Sequence, residues 1–495
     1  MADPAATSTD SPGRPTYAER FRCIGPECED TCCAGWGVPI DRAAWDKYQS
    51  LPESPLRDLI HSCVIQKTEE ASEPLQAEDA VPTAHAQADP AATPEAKPPV
   101  FAMIKMNEQN QCPMLSADQL CRIQSELGES YLSYTCAAYP RIVASIDGVL
   151  ETSLALSCPE AARIVLLTPD LLTPDLLSAE PDARGPAPAG AESSQDNSPQ
   201  AWFLSIRKVA LDLIRNRAYP LWQRMFLLNI FCRRLDSITR GELQRTIPAF
   251  LADFESAAVS GALRPSMETL PVDRKAQLDV VLKLAGLMLH KSNVRPRFVE
   301  CIQAFTKGIG NGPGATLDSL TAHYTFAHER YFAPFFNQHP HILENYLANA
   351  VLRRQFPLGK EGLRPGAQID AAREFSMLAA QFALMRGLLI GVAGFHGVSF
   401  SAEHVVHTVQ AASKHFDHHP KFPDLAHTQL VDSGIIDARG FAVLLREPAA
   451  AAAGDASMPA VPEKSAQESV DGRSAWASAA GPAPVAAAQE RTRPQ

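Results

Sequence analysis

The stretch Cys23-Ile-Gly-Pro-Glu-Cys28-Glu-Asp-Thr-Cys32-Cys33-Ala-Gly-Trp36 puts four thiols within eleven residues, and four more follow at Cys112, Cys121, Cys136 and Cys158. Cysteines that serve only as small core hydrophobes scatter along a chain, whereas nine of the eleven here precede residue 160 and bunch at ligand-like spacings. Soft metals need deprotonated sulfur at the corners of a small polyhedron, and thiols on one turn supply two corners at little cost in chain entropy. Cys23, Cys28, Cys32, Cys33, Cys112, Cys121, Cys136 and Cys158 are therefore the candidate metal ligands, while Cys63, Cys232 and Cys301 sit in helical contexts and read as core.

Outside the insert at 66–99, the one histidine of this region is His61, and Cys112 and Cys158 precede proline as a ferredoxin ligand does. Those features favour an iron–sulfur cluster, of the 4Fe-4S kind, and two four-thiolate zinc ions are the alternative. The vicinal pair Cys32-Cys33 is too strained to point both sulfurs at one metal, which leaves one of them as a packed thiol or a ligand to a second site. A radical Cys-x3-Cys-x2-Cys triad would need a third cysteine at position 35, where Gly35 stands.

Composition bounds the rest. The 495 residues carry a net charge of −11, against the basic face that nucleic-acid binding requires. The first ten residues show no basic or apolar leader region, and Leu384–Phe395, the most apolar stretch, contains Arg386 and three glycines and is too short for a bilayer. The expectation is a cytoplasmic protein with no membrane span, in a compartment where clustered thiols bind metal rather than form disulfides.

Working outward, the fold class expected is α+β, a small cysteine-rich domain followed by a mainly α-helical one. Residues 1–16 read as disordered and 17–160 as the cysteine domain. Within it Asp41 caps a helix running to about His61, Phe101–Met106 forms a strand, Cys121–Tyr134 has helical periodicity, and Ile142–Leu154 is a hairpin turning at Asp147-Gly148. Residues 66–99 are an Ala/Pro-rich insert, 161–200 a linker and 446–495 a disordered tail. Between them, 201–445 is expected to be all-α. Apolar stripes through Trp202, Ile206, Val209 and Leu213, through Trp222, Met225 and Phe226, and through Leu278, Val281, Leu282 and Met288 recur at helical spacing. Further helices are expected near 241–261, 297–308, 316–332, 340–355, 369–390 and 401–416. His415 and His419 share an i, i+4 face, but Pro420 ends that helix, so a solvated helix end is the expected setting.

Tyr17-Ala-Glu-Arg-Phe21-Arg-Cys23, Cys28 to Trp36, Cys112-Pro-x-Leu, Leu120-Cys121-x-Ile-Gln-x-x-Leu-Gly128, Tyr131-Leu and Thr135-Cys136-x-x-Tyr139-Pro-Arg141 together resemble the flagellin lysine-N-methylase family. The likeness is strong over 17–160 and extends weakly to His341-Ile-Leu-Glu344-Asn345-Tyr346-Leu. It implies methyl transfer from S-adenosylmethionine, as co-substrate, to lysine ε-amines of flagellin, with the cysteines holding an iron–sulfur cluster. No glycine-rich nucleotide fingerprint marks a donor site, so the donor rests on the resemblance alone. Such a transfer needs a neutral lysine and an aligned donor, with a phenol or carboxylate to take the proton. Tyr131, Tyr134, Tyr139 and Asp30 lie beside cysteines and are the catalytic candidates, against the simpler reading that the tyrosines pack the small core and Asp30 caps a turn. Arg141 suits a donor carboxylate, or an ion pair with Glu29 or Asp30. On the residues themselves an iron–sulfur electron-transfer protein and a non-catalytic zinc-binding adaptor remain open beside the methyltransferase.

Overall fold

The computed structural model describes residues 16–66, 98–146, 149–169, 171, 198–289, 295–364, 366–417 and 421–448. The expected insert and the two expected disordered ends lie almost wholly outside these, as does the Asp147-Gly148 turn.

The first apolar core is small. Strand β1 (Val38–Asp41) leads into α1 (Arg42–Gln49), where the Asp41 carboxylate accepts the Ala44 amide at 2.9 Å, the N-cap read from the sequence. The expected run to His61 is interrupted at Pro52 and Pro55, and α2 (Pro55–Cys63) starts afresh on a Ser54 cap. Strands β2 (Val64–Gln66) and β3 (Val100–Ile104) complete an antiparallel sheet of order β1-β3-β2. Ile40, Ala44, Tyr48, Ile60, Ala102, Ile104 and Met114 fill its core. The helix expected over Cys121–Tyr134 is cut short: a π-helical turn at Ile123–Leu127 stops at Gly128, whose φ of +93° a side chain would resist, and α3 (Tyr134–Ala138) follows separately. The hairpin pairs β4 (Arg141–Ile146) with β5 (Val149–Leu154) in the register Arg141 to Leu154.

The second core is large and helical. It takes in α4 (Pro159–Leu167), α5 (Phe203–Arg215), α6 (Leu221–Thr239), α7 (Ile247–Ser260), α8 (Arg264–Glu268) and α9 (Arg274–Leu289). Then come α10 (Pro296–Gly308), α11 (Leu317–Ala327), α12 (Ala333–Gln338), α13 (His341–Arg354), α14 (Gly359–Gly362), α15 (Ala371–His396), α16 (Ala402–Phe416), α17 (Phe422–Asp432) and α18 (Ala438–Leu445). The linker expected from residue 161 therefore starts too early. Pro159 opens α4, and Ala161, Ala162, Val165 and Leu166 are buried against α13 and α16, where small side chains let the helices approach. Tyr17, Ala18 and Phe21 also belong to the large core, with the Tyr17 hydroxyl donating to Asn349 Oδ1 on α13 at 2.8 Å.

Helix α15 is the axis of the bundle and longer than its apolar stretch suggested. By length and composition Ala371–Ser399 would cross a membrane, but 89% of its apolar window is buried inside the protein. Its glycines are close-contact positions. A Cβ on Gly391 would meet Phe305 Cα at 3.0 Å, one on Gly308 of α10 would meet the Gly391 carbonyl oxygen at 1.7 Å, and one on Gly387 would meet Val281 of α9 at 2.5 Å. The Asp236 carboxylate on α6 closes the N-terminus of α15 by accepting the Ala371 and Ala372 amides at 2.8 and 2.9 Å.

Candidate functional site

The Cys23–Trp36 loop lies between the two cores, and its middle is gripped from the bundle side. Lys414 Nζ on α16 donates to Asp30 Oδ1 at 2.6 Å and to the Thr31 carbonyl at 2.9 Å. Gln410 Nε2, one turn earlier, donates to Asp30 Oδ2 at 2.7 Å and to the Ser157 carbonyl at 2.8 Å. From the start of α10, Arg297 reaches the Glu29 carbonyl at 3.3 Å and lies 3.9 Å from Asp30 Oδ2, while Arg163 on α4 pairs with Glu29 and Glu160. Burial lowers the pKa of Lys414 and the adjacent Asp30 carboxylate raises it in opposition, the balance expected of a buried ion pair.

The catalytic candidates separate. Asp30 has both carboxylate oxygens engaged by Lys414 and Gln410, which makes it the anchor of the loop. Tyr139 stands at the same junction: its hydroxyl is 3.1 Å from Ser157 Oγ and its ring centroid 5.9 Å from that of Trp36, whose Nε1 donates to the Cys32 carbonyl at 2.6 Å. Burial pushes the Tyr139 phenol well above its ordinary pKa, so it stays protonated and is a poor base. Tyr131 packs against the small core and gives its carbonyl to Tyr48. Tyr134, also raised by burial, has its amide on Asp41 and a buried hydroxyl with no protein partner among the described residues. Arg141 pairs with neither Glu29 nor Asp30. It donates to the Phe21 carbonyl at 3.2 Å and lies over the Phe21 ring at 5.1 Å, which fixes the segment just before the loop.

The thiols fall into two neighbourhoods. Cys33, Cys112, Cys121 and Cys136 gather at the small core, where the Cys112 amide donates to the Cys33 carbonyl at 2.7 Å and the Cys33 and Cys121 side chains share a hydrogen bond. Cys158, in the large core, is close enough to Cys23 and Cys28 to feel their charge, and Cys32 is similarly near Tyr139 and Lys414. The pKa of Cys33 is lowered most by its bond to Cys121, but the bond to Cys32 and burial outweigh that and carry it to about 12. Burial carries Cys136 and Cys158 to about 12 and Cys112 to about 11. As free thiols these groups are protonated and unreactive at neutral pH. Among the described residues no three His, Cys, Asp or Glu side chains converge closely enough to hold a metal ion. The donor set is right in kind for iron–sulfur or zinc, but as placed it does not fit either.

Lys414, Gln410, Arg295, Arg297 and Ser157 were not legible as site residues. One signal was there: Val406, Gln410 and Lys414 recur every fourth residue on α16, and an apolar first member marks the stripe as buried. His415 corrects another expectation. It is buried instead of solvated, with Nε2 3.1 Å from the Met288 carbonyl and its ring stacked on Phe298, whereas His419 lies outside the described residues.

Residues 207–444 match the family described as FliB lysine N-methylase C-terminal domain. Among curated proteins, the chain is 24% identical over 294 residues to the lysine-N-methylases of Salmonella typhimurium and Salmonella choleraesuis, covering 58% of this chain and 65% of each relative. It is 28% identical over 157 residues to the flagellar biosynthetic protein FliU of Salmonella muenchen, covering 32% of this chain and 77% of that relative. The chain thus spans just under two thirds of the length of the two lysine-N-methylases. No solved structure matches. The helical-domain match and these relatives point the same way as the motifs around the cysteines: residues 207–444 are similar to the FliB lysine N-methylase C-terminal domain, and the chain is similar to lysine-N-methylases.

Proposed function

We propose that this protein transfers a methyl group from S-adenosylmethionine to lysine ε-amines of flagellin. The observation that carries the reading is the match of residues 207–444 to the lysine N-methylase domain, the stretch that contains α10, α15 and α16 and grips the cysteine loop. In the transfer, the amine nitrogen attacks the methyl carbon in line. The S–CH3 bond breaks, the N–CH3 bond forms, the thioether leaves and the amine proton passes to water. The amine must be neutral to attack, and a half-buried junction lowers an amine pKa by desolvation, as it does for Lys414. Tyr139 serves this reaction as a positioning hydroxyl, since its raised pKa keeps the proton on it. Binding that holds the two reactants in line supplies most of the acceleration.

The thiols support the finer reading of an iron–sulfur cluster only by their chemistry. They would have to draw together beyond their present placement, and no step of the transfer is assigned to it. Iron, sulfide and zinc analysis of protein purified without oxygen decides between cluster and zinc. For the activity itself, purified protein is incubated with flagellin and methyl-labelled S-adenosylmethionine, and labelled lysines are sought by peptide mass spectrometry. Label on flagellin lysines is expected, and its absence under conditions that preserve the thiols sinks the proposal.

A further inference from the structure

Several basic side chains reach the cysteine loop, and their partners differ. Arg163, Arg297 and Lys414 each lie within ion-pair distance of Glu29 or Asp30, and Arg141 rests on the Phe21 ring. Arg295 is the exception. Among the described residues its hydrogen bonding is limited to one long contact, Nη1 to the Ala34 carbonyl at 3.4 Å, and no carboxylate stands within ion-pair distance. A guanidinium carries five N–H donors in a planar fork and keeps its charge under any ordinary condition, so the described residues leave most of this fork unengaged.

The loop is shaped around that fork. Gly35 has φ +86°, a conformation side chains resist, and a Cβ there would lie 2.3 Å from Arg295 Nη1 and 3.0 Å from Cζ. The next residue, Trp36, leans on Tyr139, and Tyr139 is near enough to Arg295 for its charge to be felt there. One guanidinium and two aromatic rings therefore meet where the cysteine loop crosses the start of α10.

We propose that Arg295, laid over Gly35, binds the carboxylate of the methyl donor's amino-acid portion, with the Trp36 and Tyr139 rings beside it facing the sulfonium and adenosyl portions. The assignment rests on the methyltransferase reading above. Its chemistry is complementary in each part: a planar fork meets a carboxylate bidentately, and aromatic faces attract a sulfonium cation and stack on a purine. Arg295 is a binding residue in this scheme and takes no proton.

The test is calorimetric titration of the full chain with S-adenosylhomocysteine and with 5′-methylthioadenosine, which lacks the amino-acid portion. The wild type is expected to prefer S-adenosylhomocysteine. Arg295→Ala should weaken that ligand roughly 10- to 100-fold, the range for a charge-assisted hydrogen bond, and leave methylthioadenosine unchanged. Gly35→Ala, which pushes the guanidinium away, should shift the preference in the same direction, and Arg295→Lys should recover part of it. If Arg295→Ala keeps the wild-type preference, or weakens both ligands alike while lowering the melting temperature, Arg295 is only a strap on the loop and the assignment is overturned. If the wild type binds neither ligand, the donor reading falls, and this assignment with it.

Discussion

The bundle around α15 and the Cys23–Trp36 loop are held by opposite means. In the bundle, glycines at 308, 387 and 391 remove side chains so that α9 and α10 close onto α15, and each large apolar side chain buried there contributes about 1.5–3 kcal/mol. The loop has almost no apolar residues of its own in either core, and is kept in place by Lys414, Gln410, Arg297 and Arg163 acting on its carboxylates and carbonyls. Apolar packing fixes a position strongly and cares little for ions or pH, whereas a polar grip is weaker and can be undone one side chain at a time. A site located at the loop inherits that second character.

The contrast can be broken first on the bundle side. Gly308→Ala places a methyl 1.7 Å from the Gly391 carbonyl oxygen, so the two helices must separate, at a cost of about 3 kcal/mol. Urea denaturation should show the loss across the whole chain, and an unchanged midpoint would contradict the account of α15 as the axis. A second effect is almost as large but depends on pH. Among the described residues His328 is buried with no hydrogen-bond partner on either ring nitrogen, and burial, with Arg274 and Arg386 nearby, takes its pKa from 6.5 to about 2. The folded state therefore refuses a proton that the unfolded state accepts below 6.5, so this contribution is complete above pH 6.5 and is lost as pH falls toward 2. The loss is about 1.4 kcal/mol per pH unit below 6.5, and His328→Phe should flatten the slope of stability against pH between 6.5 and 5.

The smallest change belongs to the loop. Lys414→Met removes the closer of the two cations beside Asp30 and leaves Arg297 at 3.9 Å, so the cost is about 1.5–2 kcal/mol, the low end for a hydrogen bond to a charged group. Hydrogen exchange should speed up over residues 23–36 while α15 stays protected, and Asp30→Asn added to it should recover part of the loss. Uniform loosening of loop and bundle would mean the two regions are not distinct.

Much of this was readable in the sequence, for physical reasons that differ by element. The helices of 201–445 announced themselves because a 3.6-residue apolar stripe is a local pattern, and Asp41 did so because capping is local too. The α4 helix was missed because a short run of small residues beside a Pro-containing near-repeat looks like a linker until α13 and α16 cover it. The site was half legible. Asp30 and Tyr139 stood out through their cysteine neighbours, but the Asp30 partners Lys414 and Gln410 lie hundreds of residues along the chain, where no local pattern encodes a contact, and Ser157, 18 residues from Tyr139, is brought to it only by the β4–β5 hairpin between them.

The central claim is that the methyl donor binds where these two regions meet. Ultraviolet cross-linking of labelled S-adenosylmethionine to the intact protein, followed by peptide mapping, tests it most directly. Label on peptides holding Trp36, Tyr139 or Arg295 is the result expected, and label confined to α5–α8, remote in sequence from the loop and joined to it by none of these contacts, would contradict it.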